Sequence, residues 1–318
     1  MRRRTCFLDG AVICVLNACA SVPTDYERIT TTALEDPAPN TAHSLFAEEV
    51  EAHPGQSGFV LLASGESAFA ARDDMIAVAD KTIDAQYFAW EADQTGKLFL
   101  DRMIRAADRG VRVRLLLDDI VTGGLDLGLA HLDNLPNVEV RLFNPFASRT
   151  ARIFDFVGDL SRVNRRMHNK ALIVDNTLAV VGGRNIGNHY FGVDTVFNYR
   201  DLDVIAVGPV VPQISDVFDV FWNSEYAVPI EVFIEETLQL EETRQLQQDL
   251  HEWAEAGADD YPYTVLRERE ENIQSLEAAR DKLIWPNYVE LLFDDPDKAG
   301  GDEDSPFVER GDLLAEHV

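Results

Sequence analysis

Cysteine is almost confined to the first residues of this sequence. Cys6, Cys14 and Cys19 are its only three, so the body of the 318-residue chain has no disulfide framework and no cysteine-based metal site. Positive charge is scarce as well. The formal net charge is −28, and a surface of that sign repels polyanions at long range, which argues against a broad nucleic-acid-binding face. Long apolar runs are missing: the longest one near the N-terminus, Phe7–Leu16, is too short to span a bilayer as a helix. The chain has no GxxxxGK[ST] loop to cradle a nucleotide phosphate. Gly65-Glu66-Ser67 lacks the second glycine of a nucleophile elbow.

What is present begins with an export pattern. Arg2, Arg3 and Arg4 precede the short apolar stretch, and Leu16-Asn17-Ala18-Cys19 closes it with a small residue before cysteine. That order is the order of a secretory signal. Its end resembles a bacterial lipobox, in which the cysteine becomes a lipidated first residue. The expectation is a signal over 1–19, lipidation at Cys19, and a chain lipid-anchored on the periplasmic side of the bacterial cell envelope. Ala20 in place of Asp points to the outer membrane. Residues 20–57, with Pro23, Pro37, Pro39 and Pro54, read as a tether with one helical turn around Leu45–Val50.

From Gly58 short apolar runs alternate with amphipathic segments. Strands are expected at 58–63, 83–90, 111–117, 138–143, 171–175, 178–182 and 203–207. Helices are expected at 66–81, 97–109 and 211–225. Alternation of this kind argues for a layered α-β-α domain over 58–228 with a mixed, mostly parallel sheet. Past Pro229 the charged, heptad-like stretches Glu231–Glu255 and Val265–Leu283 read as solvated helices. An acidic tail follows from Asp294, so that 229–318 forms a charged helical extension.

The informative segment is Arg165-Arg166-Met167-His168-Asn169-Lys170, continuing through Asp175 to Gly182-Gly183-Arg184-Asn185. In a strand, residues two apart share a face, so His168 and Lys170 point the same way. With a two-residue turn at Asn176-Thr177, His168 would lie opposite Asn185 and Lys170 opposite Gly183. An imidazole, an ammonium, a carboxamide and bare glycine backbone would then form one patch. Lys170, Gly182, Gly183 and Asn185 suit the oxygens of a phosphodiester, and His168 can attack phosphorus. Fixed donors supply the charge stabilisation, so no metal or other cofactor is called for. Between Arg141 and Arg200 stand nine Arg or Lys against four Asp or Glu, a locally basic stretch within which Arg152, Arg162, Arg165 or Arg166 could line a phosphate funnel. Asp118 and Asp119 end a buried strand and read first as structural caps. Tyr87 and Trp90 read first as core, with a lipid channel as the alternative.

The pattern His-x-Lys, four residues, Asp, six residues, Gly-Gly-x-Asn resembles the HKD motif of the phospholipase D superfamily. Flanking stretches such as Asp84-Ala85-Gln86-Tyr87-Phe88 and Phe221-Trp222-Asn223-Ser224 are similar to its cardiolipin synthase-like, bacterial lipoprotein branch. The resemblance implies a phospholipid substrate such as phosphatidylglycerol, a phosphohistidine at His168, and phosphate binding by Lys170 and Asn185. It also implies a downstream carboxylate that orients the imidazole, for which Asp201 is preferred over Asp203. Asp175 belongs to the motif yet sits at the turn, where a structural role is the natural one. One departure matters: the superfamily builds a site from two such motifs, and no other histidine here has a lysine two residues on. The second motif would come from a homodimer or from a separately encoded half, and the chain alone would otherwise be a silent fragment.

Overall fold

A computed structural model describes residues 22–35, 39–149, 166–257 and 273–297. The expected signal, Cys19, Arg152, Arg162, Arg165, much of the second charged helix and most of the acidic tail lie outside these residues. Among them, eight strands form one sheet in the order β1-β7-β6-β5-β2-β3-β4-β8. The strands are β1 (Gly58–Leu62), β2 (Thr82–Tyr87), β3 (Arg112–Asp118), β4 (Val138–Phe143), β5 (Ala171–Val174), β6 (Leu178–Gly182), β7 (Asp203–Val207) and β8 (Ala227–Pro229).

The layered α/β architecture matches the expectation, but its parallel share is smaller. Only β2–β3 and β3–β4 pair in parallel, and the other five pairings are antiparallel. The reason lies in the connections. Helix α3 (Gln94–Asp108) and helix α4 (Asp126–Asp133) carry the chain back between β2, β3 and β4, which is what a parallel pair needs. The tight turn after β5 can only reverse it.

Strand alternation sorts side chains to two faces. On β3, Val113, Leu115 and Leu117 join the larger core under α3, α4 and α2 (Gly65–Ala77), while Leu116 belongs to the smaller core. That second core is closed by α6 (Val210–Trp222), through Ile214, Phe218 and Trp222; the short helix α5 (Asn188–Phe191) precedes it. Arg114 is fully buried on the same face. It is held by Asp84 at 2.6 and 2.8 Å and by Asp219 at 2.8 Å, and lies over the Phe218 ring. A buried guanidinium is tolerable only with its donors so matched.

The N-terminal stretch expected as a tether is in part docked. Thr31 and Ile29 accept from Arg114 and Arg141 through their carbonyls, at 2.9 and 2.6 Å, and Ala33 N–H donates to Asp219 at 2.7 Å. The expected helical turn is a full helix, α1 (Thr41–Ala52), capped by Asn40 accepting from His43 N–H. Beyond β8, the expected long helix is divided. Ile230–Phe233 is a 3₁₀ turn, and helix α7 (Leu240–Gly257) begins only after a non-helical stretch. A cavity of about 400 Å³, lined mainly by Leu100, Ile104, Leu115, Leu129, Leu132 and Leu250, lies where α7 packs on α3 and α4. The short helix α8 (Gln274–Arg280) packs on α2 and α1. No helix among the described residues is long and apolar enough to cross a membrane.

Candidate active site

The β5–β6 hairpin positions the site, and its turn is one residue longer than expected. Asp175 and Asn176 both adopt left-handed backbone, at φ 52° and 50°, and Thr177 N–H closes the turn on Val174 carbonyl at 3.0 Å. Asp and Asn are the non-glycine residues that tolerate this region best. Val174 therefore pairs with Leu178, and Lys170 faces Gly182, whose N–H donates to the Lys170 carbonyl at 3.3 Å. This corrects the expected facing of Lys170 with Gly183 and His168 with Asn185. Asn185 reaches its place because the chain leaves the strand after Gly182 and makes a bridge from Ile186 to Trp90.

His168 lies at the surface, its ring edge-on to Phe88 with centroids 5.0 Å apart. Among the described residues neither ring nitrogen has a hydrogen-bond partner. Burial first, and the Lys170 charge second, hold its pKa below the usual imidazole value. The ring therefore favours its neutral, nucleophilic form at neutral pH. Lys170 is buried. Its ammonium donates to the His168 carbonyl at 2.6 Å and stands 5.2 Å from the centre of the Phe88 ring. Burial pulls its pKa down to about 8, against the opposing pull of Asp201 and Asp118. An ammonium so poorly solvated gains more than an exposed one when an anion arrives. Asn185 is buried and accepts from Ala89 N–H at 3.0 Å through Oδ1, with Tyr190 beside it.

The four aspartates divide clearly. Asp175 stands at the far end of the hairpin, buried, accepting from the N–H groups of Asp80, Lys81 and Thr82 at 2.8–2.9 Å. It fastens the turn to the start of β2 and does not share the His168 pocket. Asp203 is buried between Arg72 at 3.0 Å and Arg184 at 3.3 Å, and also accepts from Arg184 N–H. Asp201 carries no such partners among the described residues; its charge acts on Lys170, and its side chain lies against Gly183. Asp118 accepts from Met167 N–H and Ile120 N–H, both at 2.9 Å, and pairs with Arg166 at 3.3 Å. Burial outweighs these donors and pushes its pKa up to about 7.

The glycines have a tighter steric cause than phosphate approach. A Cβ on Gly182 would sit 2.5 Å from Asp203 Cα, and one on Gly183 would sit 2.9 Å from an Asp201 carboxylate oxygen. Their missing side chains let the Asp201–Asp203 segment close against the hairpin. Arg166 is engaged by Asp118, by the Asn144 carbonyl and by the Phe146 ring, so its guanidinium anchors the segment leading into His168. Asp119 is likewise structural, paired with Arg149 and accepting from Phe146 N–H.

Three contributors escaped the sequence reading. Phe88 supplies the wall under His168 and Lys170; its neighbours Tyr87 and Trp90 are buried in the core, as their first reading had it. Strand alternation at Tyr87 was the available signal. Tyr190 stands beside Asn185, and Arg184 ties the motif to the Leu62, Ala63 and Tyr190 carbonyls. Among the described residues no group of His, Cys, Asp and Glu is arranged to hold a metal ion.

A histidine and a lysine two residues apart, backed by a carboxamide and a nearby carboxylate, stand together at the open end of the hairpin. Residues 73–222 match the family model described as the cardiolipin synthase, PLD-like domain, and over that region the chain belongs to the phospholipase D superfamily on its cardiolipin synthase-like side. Cardiolipin synthase C of Escherichia coli K12 is 41% identical over 252 residues, covering 78% of this chain and 52% of that protein. Cardiolipin synthase A of Pseudomonas syringae pv. syringae is 32% identical over 173 residues, covering 54% of this chain and 34% of its own length. The chain thus spans about half the length of the Escherichia coli relative or less of the others. The solved structure of NucT from Helicobacter pylori covers 54% of the chain and 99% of its own at 16% identity, with a TM-score of 0.42.

Proposed function

We propose that this chain supplies one half of a centre that transfers phosphatidyl groups between phospholipids, as in cardiolipin synthesis, through a covalent phosphohistidine. The observation that carries this reading is the pairing of an unpartnered, exposed His168 imidazole with a buried Lys170 against one aromatic wall, inside the region matched to the cardiolipin synthase-like domain. In the first step an imidazole nitrogen of His168 attacks phosphorus of a phosphatidylglycerol. The bond from phosphorus to the leaving glycerol oxygen breaks, and that oxygen takes a proton from an acid. In the second step the hydroxyl of another phosphatidylglycerol attacks the phosphohistidine, gives up its proton, and releases the imidazole. Water in place of that alcohol would give hydrolysis. Lys170 and Asn185 hold the non-bridging oxygens, and Asp201 orients the charged ring.

The acid is a second imidazole, and it comes from a second motif, in another copy of this chain or in a separately encoded half. Lipidation at Cys19 keeps the chain at the envelope membrane that holds its substrate. The test mixes the purified chain with phosphatidylglycerol vesicles after light scattering has set its oligomeric state. A dimer should form cardiolipin and glycerol, and His168→Ala should abolish both. A dimer that leaves phosphatidylglycerol unchanged refutes the reading. One that instead cleaves DNA in a His168-dependent way would make the chain a single-motif nuclease. A monomer should gain activity only when a second-motif chain is added.

A further inference from the structure

Between α5 and β7 the chain runs through residues 192–202 without regular structure, yet the loop is firmly built. Asp194 accepts from the N–H groups of Val196 and Phe197 at 2.7 and 3.2 Å, and Asn198 bonds back to Asp194 through both ends of its amide. Tyr199 N–H donates to the His189 carbonyl at 2.9 Å. The His189 ring stacks on Phe197 with centroids 4.2 Å apart, and Tyr190 stacks on Tyr199 at 4.9 Å. This scaffold holds apolar side chains out in water: Val196 is 86% exposed, Phe197 49%, Tyr199 51% and Leu202 53%. A collapsed loop would turn such groups inward; contiguous exposed apolar groups mark a contact.

The loop is continuous with the phosphate site. Gly183 N–H donates to the Leu202 carbonyl at 3.1 Å, and Asp201 lies against Gly183. We propose that the tip formed by Val196, Phe197, Tyr199 and Leu202 is a bilayer-insertion surface, which seats the rim of the site in the boundary between headgroups and acyl chains. The inference rests on the reading that the substrate is a phospholipid. The phosphate of such a lipid stays near the bilayer surface, whereas Lys170 is buried, so the rim must touch the membrane for the two to meet.

The chemistry of the tip agrees with that occupant. An aliphatic point flanked by rings, one of them carrying a hydroxyl, suits the apolar-to-polar gradient of a membrane interface. Arg200, exposed beside them, can meet lipid phosphates. Four side chains are also few against the roughly 20–30 residues a stable protein interface takes from each side. The acidic surface opposes anionic bilayers, but that repulsion is screened beyond about 8 Å at physiological ionic strength, and insertion acts at contact.

Flotation of the full chain carrying Cys19→Ala, so that no lipid at that residue holds it to the bilayer, with vesicles of phosphatidylethanolamine and phosphatidylglycerol tests this. The double variant Val196→Asp/Phe197→Asp should lower partitioning about tenfold or more, from lost apolar burial. The control Val220→Asp/Leu240→Asp, two apolar residues exposed elsewhere, should behave as the parent. Phe197→Trp should gain emission that vesicles shift to the blue and that bromine-labelled lipids quench. His168→Ala should float unchanged, because insertion does not need the chemistry. Partitioning unaffected by the loop variant would overturn the proposal. So would a loop variant that floats normally but no longer dimerises, which would assign the tip to a protein contact. If the chain floats through its loop yet never turns over phosphatidylglycerol when a second motif is supplied, the insertion surface stands and the phosphatidyl-transfer reading falls.

Discussion

The two ends of the β5–β6 hairpin are built from the same kinds of residue and treated in opposite ways. At the turn, Asp175 is buried with three backbone N–H donors on its carboxylate. At the open end, among the described residues, the His168 ring nitrogens have no hydrogen-bond partner, and buried Lys170 donates to a backbone carbonyl with no carboxylate in ion-pair contact. A polar group whose bonds are filled by the protein stabilises the fold. One buried with its capacity unspent raises the energy of the empty site and lowers it when a ligand arrives. The contrast between filled and unfilled groups, more than membership of one motif, separates structure from chemistry here.

Breaking the filled end should have the largest effect. Asp175→Ala leaves three N–H groups without their acceptor and should lower stability by about 3–5 kcal/mol in urea denaturation, with Asp175→Asn less damaging. Lys170→Met should do the reverse. Phosphate binding, followed by calorimetry, should fall by about tenfold or more, while stability stays level or rises by about 1 kcal/mol. A loss of stability like that of Asp175→Ala would erase the distinction between the two ends.

The pH dependences sharpen it further. Lys170 titrates at about 8 in the folded chain, below its ordinary value, so phosphate affinity should fall as pH rises through 8. The folded state also holds fewer protons than the unfolded one between about 8 and 10.5. Stability carried by this group should therefore rise across that window, and the rise should vanish in Lys170→Met. Asp118 works in the other direction. Its folded pKa is raised to about 7, so the folded state holds the extra proton and stability should decline from about pH 4 to 7. Asp118→Asn should flatten that decline. The smallest effect is on His168 itself: Lys170→Met should raise its imidazole pKa slightly by NMR titration, since burial, the larger cause of its depression, stays in place.

Much of this was legible in the residues. The bounds of β4, β6 and β7 agree with the apolar runs that announced them, and the His-x-Lys spacing carried the site. What escaped was in part local and unmarked, and in part dependent on partners distant in sequence. Register could not be read because it turned on two residues, Asp175 and Asn176, adopting left-handed backbone. Helix α4 has Leu125 at its N-cap and so no side-chain cap; no start signal marks it, and β8 has only three residues. The glycine pair suggested phosphate approach, whereas the segment that fills their space enters some twenty residues later. The N-terminal proline-bearing stretch looked unattached because Arg112, Arg114 and Arg141, which grip it, lie 80 or more residues away.

That grip has a mechanical side. Arg28, Ile29, Thr31, Thr32 and Ala33 bond in succession to Ser224, Arg141, Arg114, Arg112 and Asp219. Tension applied from the N-terminal side would load these contacts one after another, as tape peels from a surface, and would spend itself before any sheet pairing was stretched. Peeling as far as Thr31 would strip Arg114 of one acceptor while leaving Asp84 and Asp219 in place. The strap can therefore yield under load and close again around an intact core.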